Sequence, residues 1–210
     1  MSKTKISIQT ILRYLRDFSI VVAGIAVTLY VNDRIMNRSE KRDLKLYLTA
    51  VKIELEQNVK DIEEEIEILQ QSINYAEYLK SHDKKSLNQD TINSYKDNYY
   101  LLISMTYKTN AFEMLKLSGT MRLMEDKELL LSIWETYTYM NDVKNLIDWG
   151  FQLKSEEIKK EIYWSKEEKM KNIPMYNFYT MTPWPSEMSR LCKEAIVLLN
   201  RTIEKLEKVL

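Results

Sequence analysis

Fourteen consecutive residues from Phe18 to Val31, FSIVVAGIAVTLYV, contain no charge, and only Ser19, Thr28 and Tyr30 add a polar side-chain atom. A helix built from them is apolar on every face, so it needs apolar cover all the way round. A bilayer supplies such cover, and so does the centre of a soluble protein, where apolar runs of this length also occur. At about 1.5 Å per residue the run covers roughly 21 Å, less than the roughly 20 residues a span normally uses. The flanks make up the difference. Ile11, Leu12, Tyr14 and Leu15 precede the run, with Arg13 and Arg16 free to snorkel, and Ile35 and Met36 follow it. Tyr14 and Tyr30 stand where interfacial aromatics belong. The pattern predicts a single membrane anchor over 18–36, carried by Phe18, Ile20, Val21, Val22, Gly24, Ile25, Val27, Leu29 and Val31. A basic tail, 1–17, comes before it and one helical domain, 39–210, after it, so the lipid bilayer is the first partner.

No small-x-small site follows the apolar core, which predicts an uncleaved anchor rather than a signal peptide. Lys3, Lys5, Arg13 and Arg16 before the run face Arg34, Arg38, Lys41, Arg42 and Lys45 after it, four cations against five. Such a balance does not orient the segment. A long C-terminal domain translocates largely regardless of charge, which favours the N-terminus inside.

Asp17, then Ile20-Val21-Val22-Ala23-Gly24-Ile25, then Leu29-Tyr30-Val31-Asn32 resembles the N-terminal anchor of a family of uncharacterised single-pass bacterial membrane proteins. Ala111-Phe112-Glu113 with Leu117-Ser118-Gly119, followed by Asp126 and Leu129, is similar to that family's second recurring stretch. Arg34-Ile35 stand where the family commonly has Trp-Asn. The resemblance implies a bacterial cytoplasmic membrane location and a helical domain, and it carries no activity or catalytic residues with it.

Three Gly and three Pro in 210 residues leave few turn formers, which argues for an all-α fold. Apolar residues recur at Leu44, Leu48, Val51, Leu55, Val59, Ile62, Ile66, Leu69, Ile73, Ala76 and Leu79, a mean spacing of 3.5. The anchor therefore continues as a long amphipathic helix to about Lys80, within an antiparallel bundle of about four helices. Glu54, Glu56, Asp61, Glu63, Glu64, Glu65 and Glu67 read as its solvated acidic face. Residues 81–90 are polar and break the period, giving a turn with His82 on the surface. From Thr91 to Ser118 helical spacing returns at Ile92, Tyr95, Tyr99, Leu102 and Met105, with a break expected near 106–110. Asn110 with Glu113 has the spacing of a capping box, Gly119 suits the C′ position and Asp126 suits the next N-cap.

That next helix places Leu130, Ile133, Trp134, Tyr137, Met140, Val143, Ile147, Phe151, Ile158 and Ile162 on one face, with Gly150 at a kink or a close helix contact. Its aromatics read as core, or as the lining of a ligand pocket formed by Trp134, Tyr137, Trp149 and Phe151. All three prolines lie in the aromatic arm 165–186. The arm reads either as packed over the bundle or as a partner contact through Tyr176, Phe178, Tyr179 and Trp184. Ser186 is the expected cap of a last helix.

Lys plus Arg equals Asp plus Glu at 31 each, so no net charge recruits nucleic acid. The sequence has no Gly-rich phosphate loop and no paired cysteines, and only His82 is available as a histidine base. No enzyme chemistry and no cofactor are therefore expected. The reading is a membrane-anchored interaction or scaffold protein that docks to itself or to another membrane-associated protein. The expected oligomer contacts are Ser19, Ala23, Gly24 and Thr28 in the anchor and Leu48, Leu55, Ile62 and Leu69 along the seam. The alternatives are a sensor bundle that binds a small apolar ligand, and a pore-forming effector.

Overall fold

The computed structural model describes residues 8–102, 104–165, 167–168 and 172–210; Lys3 and Lys5 of the basic tail lie outside them. Among the described residues the chain is helical with no strand. Helix α1 spans Ile8–Ser81, α2 Gln89–Ser94, α3 Lys96–Tyr99 and α4 Asn110–Leu117. A 3₁₀ turn, Thr120–Leu123, leads to α5, Lys127–Ile162; α6 spans Tyr176–Met181 and α7 Trp184–Val209. Helix α1 runs unbroken through the apolar segment and the seam, because neither Pro nor a capping signal intervenes. It starts by Ile8, so the latter part of the expected tail is already helical.

Three long helices set the bundle. Helix α7 is antiparallel to α1, as the Lys52–Glu207 ion pair at 2.9 Å near its C-terminal end shows. It is also antiparallel to α5: Ser132 meets Thr202 at 2.8 Å, and Tyr139 reaches Glu194 at 2.9 Å. The fourth leg of the bundle is irregular. It returns from the far end of α1 through α2, α3, a non-helical stretch and α4, which packs on α1 and stacks Phe112 on Tyr137 of α5 with ring centroids 4.2 Å apart. Leu48, Leu55, Ile62, Leu69, Leu115, Ile133, Met140, Ile147, Ala195, Leu199 and Leu206 fill the centre.

Several local expectations need correction. The break expected near 106–110 is present but begins earlier: the described residues from Leu101 to Thr109 are not helical, although Met105 is buried as its spacing predicts. Asn110 is the first residue of α4 and not its cap; Thr109 holds the cap position without a side-chain bond. The last helix starts at Trp184, two residues before Ser186, because Pro185 fits the first helical turn, where no intrahelical N–H bond is lost. The aromatic arm contains a helix of its own, α6. Local signals hold at Asp126, whose side chain accepts from Leu129 N at 2.9 Å, and at Gly119, which follows α4 with φ of 69°.

Candidate functional site

Among the described residues one helix, α1, is long and apolar enough to cross a membrane, and none of its apolar window is buried by the rest of the chain. The large apolar residues from Phe18 to Val31 are 47–67% exposed. A core helix passes the same length and composition test, but a core helix is covered by its own protein. Ser19 and Thr28 point their hydroxyls back to the Leu15 and Gly24 carbonyls, each at 2.8 Å, which removes their unpaired polar atoms from the helix surface.

Inside the bundle, polar side chains form two knots. In the first, Glu54 of α1 is buried, contrary to its expected place on the solvated acidic face. Its carboxylate accepts from Ala111 N at 2.8 Å, Phe112 N at 3.3 Å and the Tyr137 hydroxyl at 2.6 Å. It thereby caps α4 from another helix, the role expected of Asn110. One turn on, Asn58 donates to the Lys108 carbonyl at 2.9 Å and accepts from Lys108 N at 2.8 Å. Burial and the bond to Glu54 push the Tyr137 phenol well above its ordinary pKa.

The second knot closes the far end. Lys154 of α5, fully buried, donates to the Leu101 carbonyl at 2.5 Å and to the Tyr179 hydroxyl at 2.8 Å, and burial brings its amine down to about 7. Two turns further, Glu161 accepts from Met175 N at 2.5 Å and from the Tyr100 hydroxyl at 2.9 Å. Burial raises the Glu161 carboxyl, against the pull of those two donors. Met175 takes a left-handed φ of 54°, an uncommon conformation for a side chain of its size. Tyr75 joins the group through its hydroxyl, which donates to the Pro174 carbonyl at 2.8 Å, and its ring meets Tyr95, Tyr99 and Tyr179 within 5.1–5.6 Å. An amine near neutrality is a potential nucleophile or base. Here its environment is packed, and its bonds go to main chain and phenol, so it acts as a clasp.

A groove of about 430 Å³ lies between α5 and α7, lined by Leu146, Trp149, Leu153, Met181, Trp184 and Leu191. Trp149 is 59% and Met181 76% exposed at its rim, with Glu187 and Arg190 beside them. Trp184 forms the floor, its ring laid on Gly150 so closely that a Cβ there would stand 1.4 Å from Nε1. Gly150 is thus the close contact, and the Trp184 N–H has no acceptor among the described residues.

The predicted sites separate as follows. Of the expected partner contacts, Phe178, Tyr179 and Trp184 are buried in the bundle and only Tyr176 is half-exposed, so the arm is packed down. The seam residues Leu48, Leu55, Ile62 and Leu69 are filled from within the chain and are not free for a second copy. Tyr137 is core, whereas Trp134 and Trp149 are exposed and line two different clefts. Lys154, Glu161, Glu54 and Asn58 were not expected inside. No protein-family model matches the chain, and no curated protein or solved structure does either. The resemblance of the anchor therefore rests on its own residues.

Proposed function

We propose that the chain is a single-pass membrane protein that holds a helical docking module at the bilayer surface, on the inner membrane of a bacterium and with its N-terminus inside. The observation that carries this reading is the change of character along α1. From Phe18 to Val31 it is apolar on all sides and bare, and from about Leu44 the same unbroken helix is apolar on one side and buried there. Such a helix transmits position without a hinge, so the bundle stands at a fixed distance from the span. The packed clasps inside the bundle support a scaffold more than a catalyst.

Alkaline extraction of membranes from cells making the full chain tests the proposal. The protein is expected in the pellet, and a Val22→Lys chain in the supernatant. Recovery of the wild-type chain in the supernatant overturns the reading. A crosslinked pull-down, with and without residues 1–38, then shows whether the bundle alone holds a protein partner. The groove at Trp149 favours a second reading, a sensor of small apolar ligands. It predicts that such a ligand quenches Trp fluorescence and raises the thermal midpoint, and that Trp149→Ala abolishes both effects.

A further inference from the structure

Helix α1 carries a second apolar line that the bundle leaves bare. Its buried side within the bundle is marked by Leu48, Val51, Leu55 and Asn58. At about 100° per residue, Leu46 and Ile53 lie roughly 180° from the centre of that side. Both are open, at 65% and 60% exposure. Ile35, 63% exposed, falls on the same line, as do Gly24 and Thr28 in the apolar run, where a Cβ on Gly24 would meet nothing within 4 Å. Ser19 and Ala23 turn toward the bundle side instead, which divides the small residues of the span into two sets.

We infer that α1 is the interface of a parallel two-fold homodimer, in which Ile35, Ser39, Leu46 and Ile53 pack against the same line on a second copy. The inference rests on the anchor reading proposed above, because a shared bilayer is what holds two copies in one direction and at one depth. Whatever covers the whole line must be a helix that crosses the bilayer and runs on in line for about 26 Å beyond Met36. A second copy has that shape at zero shift of register.

Two further features fit this occupant. Ser39, Leu46 and Ile53 recur every seven residues, as do Thr28, Ile35 and Arg42, which are the a and d spacings of a parallel two-stranded coil. Asn32 then falls on an a position, where asparagine specifies two strands in parallel register. The same register brings Arg38 opposite the partner's Asp43, a g-to-e′ pair of opposite charge. Among the described residues of its own chain Asp43 pairs only with Arg42 at 4.0 Å, a loose contact. Arg42 falls on the seam, but its side chain is 82% exposed and long enough to reach round to water. The two bundles lie on the outer sides of the α1 pair and do not meet.

Full-length protein reconstituted in lipid vesicles tests the inference through a Ser39→Cys substitution and a short bis-maleimide. The wild-type chain, whose free Cys192 is buried, is the blank. A Glu135→Cys chain, exposed on α5 and so away from the α1 line, is the control for random encounter. The expected result is a product of twice the chain mass from Ser39→Cys only. Leu46→Glu with Ile53→Glu in the Ser39→Cys chain should lower it at least about tenfold while helicity and thermal midpoint stay unchanged, since both residues are exposed in the single chain. Absence of the dimer product from protein that resists alkaline extraction overturns the inference and leaves the anchor reading standing, and so does equal crosslinking at Glu135→Cys. In the source membrane, a crosslinked product of any other mass overturns it in favour of a different partner. Release by alkali removes both.

Discussion

Glu54→Ala is the substitution expected to damage the bundle most for the least change in volume. It removes the acceptor of two backbone N–H groups of α4 and of the Tyr137 hydroxyl, at 2.8, 3.3 and 2.6 Å. A buried donor deprived of its partner costs about 1–3 kcal/mol, and bonds to a charged acceptor sit at the upper end of that range. The three losses are not additive, because α4 can shift toward water and recover part of them; about 3–5 kcal/mol is expected in all. For a domain of this size each kcal/mol moves the thermal midpoint by about 2–4 °C, so the midpoint should fall by roughly 6–20 °C. Glu54→Gln keeps the shape and one acceptor but turns an amide N–H toward a donor, and should cost about half as much. Circular dichroism of the full chain in detergent, heated with each variant, is the assay. Glu63→Ala, on the exposed part of the same acidic run, should leave the midpoint unchanged. If Glu54→Ala costs less than about 1 kcal/mol, the cross-helix cap is not what holds α4. A double-mutant cycle with Tyr137→Phe should give a coupling of about 0.5–3 kcal/mol, and a coupling near zero would refute the three-way bond.

Gly150→Ala, ordinarily favoured by helix propensity, should destabilise by about 2–4 kcal/mol and shift the Trp emission, because its Cβ would stand 1.4 Å from Trp184 Nε1. Lys154 is held near 7 in the native state against an ordinary 10.5, so the unfolded chain binds more protons between those values. Stability should therefore rise with pH from about 7 to 9.5, and urea titrations of Lys154→Met should show that slope flattened; an unchanged slope would assign it elsewhere. Cys192 is buried, and burial lifts its thiol to about 11, so maleimide labelling at pH 7 should be slow in the native chain and should appear with the unfolding transition.

What was legible in the sequence follows the range of each signal. The end of α1 near Lys80, the cap at Asp126 and the left-handed Gly119 are written in adjacent residues and could be read directly. The buried polar residues could not be read from composition, because charge alone placed Glu54 on a wet face. A signal for some of them was present all the same. Val51, Leu55, Asn58 and Ile62 step by four, three and four, which puts Asn58 on the seam itself. Met140, Val143, Ile147, Gly150 and Lys154 keep the same stride on α5, and Glu161 stands two turns on. A polar residue on an apolar stride needs a partner inside.

Beside the tyrosine hydroxyls, their main-chain partners share one property. Asn58 serves the backbone of Lys108, Glu54 that of Ala111 and Phe112, Lys154 the carbonyl of Leu101, and Glu161 the N–H of Met175. Each is main chain in an irregular segment or at the first turn of a short helix, where no i−4 partner exists. Two of the long helices, α1 and α5, thus lend side chains to the return leg and to the arm before α6, which cannot satisfy their own backbone. Had the chain from Leu101 to Thr109 been helical, Asn58 and Lys154 would have faced a surface with its N–H and C=O groups already paired. Their burial would then have cost several kcal/mol with nothing to offset it. The break in the return leg and the polar residues in the seam are therefore one structural fact, and a sequence that shows the second already implies the first.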